Sequence, residues 1–172
     1  MSQAVNTVSD VQKQVRRLFD NIAATLPLGC AQVECRQPRE EIVEMALVPK
    51  NEEAAEFGAT FLDGDLYAAF FGRGKISTTF ECPWDLHLRK SDGFHRQLAV
   101  LEKMCLAVIA GRCEHRLGRL SIRGTIYVGE REVYGVRDLP IFHPRRQRQL
   151  IQYAPYHPSA ERHSANFPKL SL

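Results

Sequence analysis

The side chains best suited to binding or chemistry are scattered along this chain rather than gathered into one motif. Arg145, Arg146 and Arg148 precede Tyr153, Tyr156 and His157 near the C-terminus. Guanidinium groups pair with carboxylates and phosphates, and aromatic rings stack on bases or pack on apolar surfaces. The combination predicts an arm that engages a protein partner through Arg145, Arg146, Arg148, Tyr153 and Tyr156. Nucleic acid is the alternative ligand of the same arm, and packing against the chain's own domain is the bland reading.

Phe71-Gly72-Arg73-Gly74-Lys75 is the nearest approach to a phosphate cradle, with Arg73 and Lys75 as the cations of an anion site. A phosphate loop normally opens a helix, however, and strand patterns lie on both sides here, so a hairpin turn is the expectation. Cys113, Glu114 and His115 include good zinc ligands, but nothing at a recognisable spacing completes a set of four. No metal and no cofactor is expected. There is no nucleophile elbow of the GxSxG kind. Cys82 before Pro83 and Trp84, together with Asp85, His87, His95 and Arg73, could form an enzyme site only if folding brought them together. Asp63, Asp65 and Asp92 read as turn or cap residues, so no catalytic residue is assigned.

Around these residues the chain has 172 positions, 44% apolar and 25% charged, which suits one soluble α+β domain with a tail. Its net charge of +3 is uneven: residues 143–172 hold five Lys or Arg against one acid, so the basic character belongs to the end of the chain. Five cysteines without a CxxC pair read as reduced thiols, with Cys35 and Cys105 as small core residues. No apolar run is long enough for a membrane span, and residues 1–26 lack a secretory pattern. A cytoplasmic protein without a membrane partner is the expectation.

The elements that would position these groups are legible from periodicity. Val11, Val15, Leu18, Phe19, Ile22 and Leu26 form one helical stripe that Ser9 and Gln12 would open, ended by Pro27 and Gly29. Two-residue alternation then starts at Ala31, and strands are expected at 31–36, 41–48, 57–62, 66–71 and 75–81, the third and fourth joined at Asp63-Gly64. A second helix opens at Ser91 or Asp92, buries Phe94, Leu98, Leu101, Met104, Cys105, Val108 and Ile109, and stops at Gly111. A strand through Leu117 to Val128, kinked near Gly124, would close at Gly129-Glu130 onto another at 131–136. The expected fold is an antiparallel β-meander sheet with two helices packed on one face. Residues 1–8 would form a flexible start, 9–138 the domain and 139–172 a basic, Pro-rich irregular arm with room for at most a turn of helix.

The order helix, antiparallel strands, helix, strand pair over residues 9 to 136 is loosely similar to the small bacterial type III secretion chaperones and to immunity proteins that neutralise toxins. That resemblance implies binding of a protein partner, and it carries no site residues. This chain differs in ending on a basic arm. The functional expectation is a non-catalytic protein-interaction module, immunity-like or chaperone-like, using its sheet face and arm. A nucleic-acid-associated protein is the second reading and a small enzyme of unassigned reaction the third. Glu40, Glu41, Glu44, Glu52, Glu53 and Glu56 give the basic tail an acidic counterpart, so tail exchange between copies would yield a homodimer.

Overall fold

The computed structural model describes residues 8–40, 42–62, 65–72, 76–80, 91–138 and 149–158. Helix α1 (Val8–Thr25) leads into strands β1 (Ala31–Arg39), β2 (Ile42–Pro49), β3 (Glu56–Leu62), β4 (Asp65–Gly72) and β5 (Ile76–Phe80). Helix α2 (Ser91–Ile109) follows, then β6 (Cys113–Leu117), β7 (Ser121–Val128), β8 (Arg131–Asp138) and β9 (Gln149–Gln152). The first sheet is the expected antiparallel meander, ordered β1-β2-β3-β4-β5. The later strands form a second antiparallel sheet ordered β8-β7-β6-β9, whose last member comes from the segment read as the arm. A strand therefore stands at 149–152 where at most a helical turn was expected.

Register explains the core. Val33 lies opposite Leu47, Leu47 opposite Phe57, and Met45 opposite Ala59, so one face of the meander collects its large apolar side chains. Helix α1 covers β1 and β2 with Val11, Val15, Phe19 and Ile22, all buried, as the stripe required. Phe19 meets Phe57 edge to face at 6.1 Å between centroids. Helix α2 packs on β3 and β7 and so spans the two sheets, burying Leu101, Met104, Cys105, Val108 and Ile109 in the same cluster as α1. Strand β5 adjoins β8 where the sheets meet.

Cys105 is buried as expected, but Cys35 is exposed. Strand phase put Cys35 on the inner face correctly. Coverage is the missing factor: β1 is the edge strand, and α1 does not shield its far half. A register shift between Arg36 and Arg39 marks a bulge beside Pro38, which an edge strand tolerates. The kink anticipated at Gly124 is absent from the pairing, which runs without a break from Cys113↔Ile126 to Leu117↔Ile122.

The close of α2 is a Schellman motif. Arg112 N–H donates to the Ala107 carbonyl at 2.9 Å and Gly111 N–H to that of Val108 at 2.9 Å, with Gly111 at φ 72°. The chain returns across this cap, since a Cβ on Gly111 would lie 2.7 Å from Pro155 N and 2.9 Å from Tyr153 O. Glycine is required there twice, by dihedral and by close approach.

Candidate functional site

Cys113 and His115 share the inner face of β6, as their two-residue spacing dictates. His115 is fully buried, and its neighbours are hydroxyls. Thr78 Oγ1 on β5 lies 3.0 Å from Nε2, and the Tyr153 hydroxyl, just past β9, lies 2.7 Å from Nδ1. In the neutral imidazole one nitrogen donates to a hydroxyl and the other accepts from one. Burial lowers the pKa of His115 from 6.5 to about 4, so the ring is neutral at pH 7.

This node joins elements far apart in sequence: β5 in the meander, β6 in the second sheet and the C-terminal segment. Gly72 at the end of β4 completes it, because any Cβ there would overlap the Tyr153 hydroxyl and sit 3.0 Å from His115 Nδ1. Thr78 and His115 are inaccessible and Tyr153 is 5% exposed, so the cluster clamps the two sheets and offers no surface to a substrate. Burial pushes the neighbouring Cys113 thiol up to about 12, with Glu114 adding to the effect, which leaves it a poor nucleophile and metal ligand. Among the described residues no group of three His, Cys, Asp or Glu is arranged to hold a metal ion.

Residues 153–158 form a strap over the rest of the domain. Ala154 N–H donates to the Glu53 carbonyl at 3.0 Å, and Asn51 Nδ2 donates to the Pro155 carbonyl at 2.9 Å. Tyr156 N–H donates to the Ile109 carbonyl at 2.8 Å, while its hydroxyl donates to the Leu47 carbonyl at 3.0 Å. The rings of Tyr153 and Tyr156 belong to the core cluster, so the structure spends on the domain itself two residues assigned from sequence to a partner. They act as anchors, the role the packing reading of the arm gave them. Arg145, Arg146 and Arg148, the anion candidates Arg73 and Lys75, and Cys82, Asp85 and His87 lie outside the described residues, as does the side chain of His95.

Glu114 and Arg116 point to the opposite, outer face of the second sheet, where Arg116 Nε donates to Glu114 Oε1 at 2.8 Å. Strand register sets Arg116 between Arg123 on β7 and Leu150 on β9. The β6–β7 turn, closed by Gly118 N–H on the Ser121 carbonyl at 2.8 Å, carries Arg119 and Leu120 at its tip. Leu120 is 61% and Leu150 51% exposed, an unusual pair of large apolar side chains among arginines. At the other end of this sheet an open groove of about 440 Å³ runs between Arg112, Glu114, Tyr127 and Gln152.

Sequence reasoning missed this basic and apolar end, because its parts come from β6, β7 and β9 and only strand pairing unites them. No family model, no curated protein and no solved structure matches the chain.

Proposed function

We propose that this protein is a non-catalytic interaction module that engages an acidic protein partner at one end of its second sheet. One observation carries the reading. Strand pairing sets Arg116 between Arg123 and Leu150, and the β6–β7 turn carries Arg119 and Leu120 at the same end of the sheet. Two exposed leucines among arginines suit a folded partner with an apolar spot flanked by carboxylates, so that the contact has an apolar centre and a polar rim. This is the kind of surface that an immunity-like or chaperone-like factor needs.

Nucleic acid is the weaker reading, since single-strand binders add stacking rings to their cations and here Tyr153 and Tyr156 are buried. The described cysteines Cys30, Cys35, Cys105 and Cys113 are all free thiols, which supports a reducing, cytoplasmic setting.

The test is quantitative capture from nuclease-treated native extract with the full chain and with an Arg119→Glu, Leu120→Asp variant. Both positions are exposed on a turn, so folding should be unchanged. The reading expects one protein enriched by the wild type at low salt, depleted as salt rises, and lost in the variant. Enrichment that vanishes with nuclease, or that the variant retains in full, would overturn it.

A further inference from the structure

The first sheet has an edge at the opposite end from the second sheet. Strand β1 pairs with β2 alone among the described residues. Lys50 N–H donates to the Cys30 carbonyl at 2.8 Å, which fixes the phase of the ladder. Cys30, Gln32, Glu34 and Arg36 direct their backbone groups to β2, so by alternation Ala31, Val33 and Cys35 direct theirs away from it. Ala31 and Val33 pack on the core yet remain half exposed, as residues at an uncovered rim do.

We propose that β1 pairs with β1 of a second copy of this chain, antiparallel and two-fold, centred on Cys35. The sequence of the strand is self-complementary in that register. Cys35 faces its own equivalent in a hydrogen-bonded pair, and Glu34 faces Arg36 in the non-hydrogen-bonded positions where side chains approach most closely. An isologous interface needs this self-matching, and two Glu–Arg pairs form at once. Centring on Val33 would set Glu34 against Gln32 and Arg36 against Cys30, and lose both charge pairs.

Within one chain, Arg36 already bridges Glu34 and Glu56, with Nη2 to Glu34 Oε2 and Nη1 to Glu56 Oε1 both at 2.6 Å. Because Glu56 is on β3, Arg36 reaches across β2 in the single chain, and it turns from Glu56 toward the edge to meet Glu34 of the second copy. The bulge between Arg36 and Arg39, which includes Pro38, ends the regular edge past Arg36. It confines pairing to a short central ladder and blocks open-ended strand addition, as edge protection does elsewhere. The occupant the edge fits is therefore one further copy.

The full chain is followed by sedimentation across a dilution series under reducing conditions, and in a separate arm, with the reductant removed, diamide serves as the oxidant that takes up the two thiol hydrogens as the disulfide forms. The wild type should be a dimer at high concentration and cross-link rapidly. Cys35→Ser should remain dimeric yet fail to cross-link, while Cys30→Ser cross-links as the wild type does. Cys35→Lys sets two cations opposite each other and should weaken association about tenfold or more, with monomer unfolding unchanged because the position is exposed. A monomer at every concentration would overturn the proposal. So would a dimer that is indifferent to Cys35→Lys and gives no Cys35 cross-link. Neither outcome bears on the arginine end of the second sheet, since a Cys35 substitution leaves that surface intact.

Discussion

Tyr153 sets its hydroxyl 2.7 Å from Nδ1 of His115 and its ring edge to face against the imidazole, with centroids 5.6 Å apart. Through Nε2 the same imidazole reaches Thr78 at 3.0 Å, so one side chain ties the C-terminal segment, the second sheet and the meander together. Fold and candidate site are coupled here: β9 sets Leu150 beside Arg116, and Tyr153, just past β9, ties that segment to His115.

Removing a single hydroxyl tests that coupling. Tyr153→Phe keeps the ring in the core but deletes the bond to Nδ1, and should lower stability by about 1–3 kcal/mol. Thr78→Val should do the same from the other side. Urea unfolding of the singles and the double should show non-additivity, because both act on one ring. Two losses that simply add would mean that the hydroxyls act independently.

Stability should also depend on pH through His115. Its pKa is lowered by burial from 6.5 to about 4 in the folded chain, so as pH falls the unfolded chain takes up the proton first. The contribution is complete above about pH 6.5, declines between about 6.5 and 4, and levels off below, with a total on the order of 3 kcal/mol at most. Urea midpoints of the wild type should fall across this window more steeply than those of His115→Gln. Parallel curves would assign the acid sensitivity to other groups.

Two glycines should respond unequally to alanine. Gly111 and Gly129 both have positive φ, 72° and 64°, but a Cβ on Gly111 meets the backbone of Pro155 at 2.7 Å whereas one on Gly129 meets nothing within 4 Å. Gly129→Ala should therefore cost about 1–2 kcal/mol, the left-handed dihedral alone. Gly111→Ala adds displacement of the strap and should reach about 3 kcal/mol or more. Thermal unfolding of the two variants side by side checks the ranking.

Periodicity read the helices and the meander because those signals are local. Val11, Val15, Phe19 and Ile22 recur at spacings of three and four, and the buried end of α2 repeats the pattern. Strand phase likewise placed Cys113 with His115 and Cys35 with Val33. What phase cannot give is coverage, and Cys35 is exposed because nothing in 31–39 records that β1 is an edge. Strand β9 is four residues long and is followed closely by Pro155, too short for alternation to register, and its partner β6 is over thirty residues upstream. The His115 node fails to show for the same reason: Thr78 is 37 and Tyr153 38 residues away in sequence. The exposed end with Leu120 and Leu150 exists only once β6, β7 and β9 are paired.

The strap sets a condition on any study of the arginines by deletion. A chain ending at Phe142 would lose β9, the four hydrogen bonds that tie 153–156 to Glu53, Asn51, Ile109 and Leu47, and the buried rings of Tyr153 and Tyr156. Each buried ring contributes about 1.5–3 kcal/mol through apolar area alone. Domains of this size are stable by only about 5–15 kcal/mol in total. The truncated chain should also lose the Tyr153 bond to His115 and leave β6 without its outer neighbour. It should consequently unfold without a cooperative transition and bind an apolar dye at neutral pH, whereas Arg145, Arg146 and Arg148 changed together to Ser should melt like the wild type. If the truncated chain instead kept a sharp transition near the full-length midpoint, β9 and the strap would be an accessory to the domain. Loss of partner binding on truncation could then be credited to the arginines, a conclusion that the packing of Tyr153 and Tyr156 otherwise forbids.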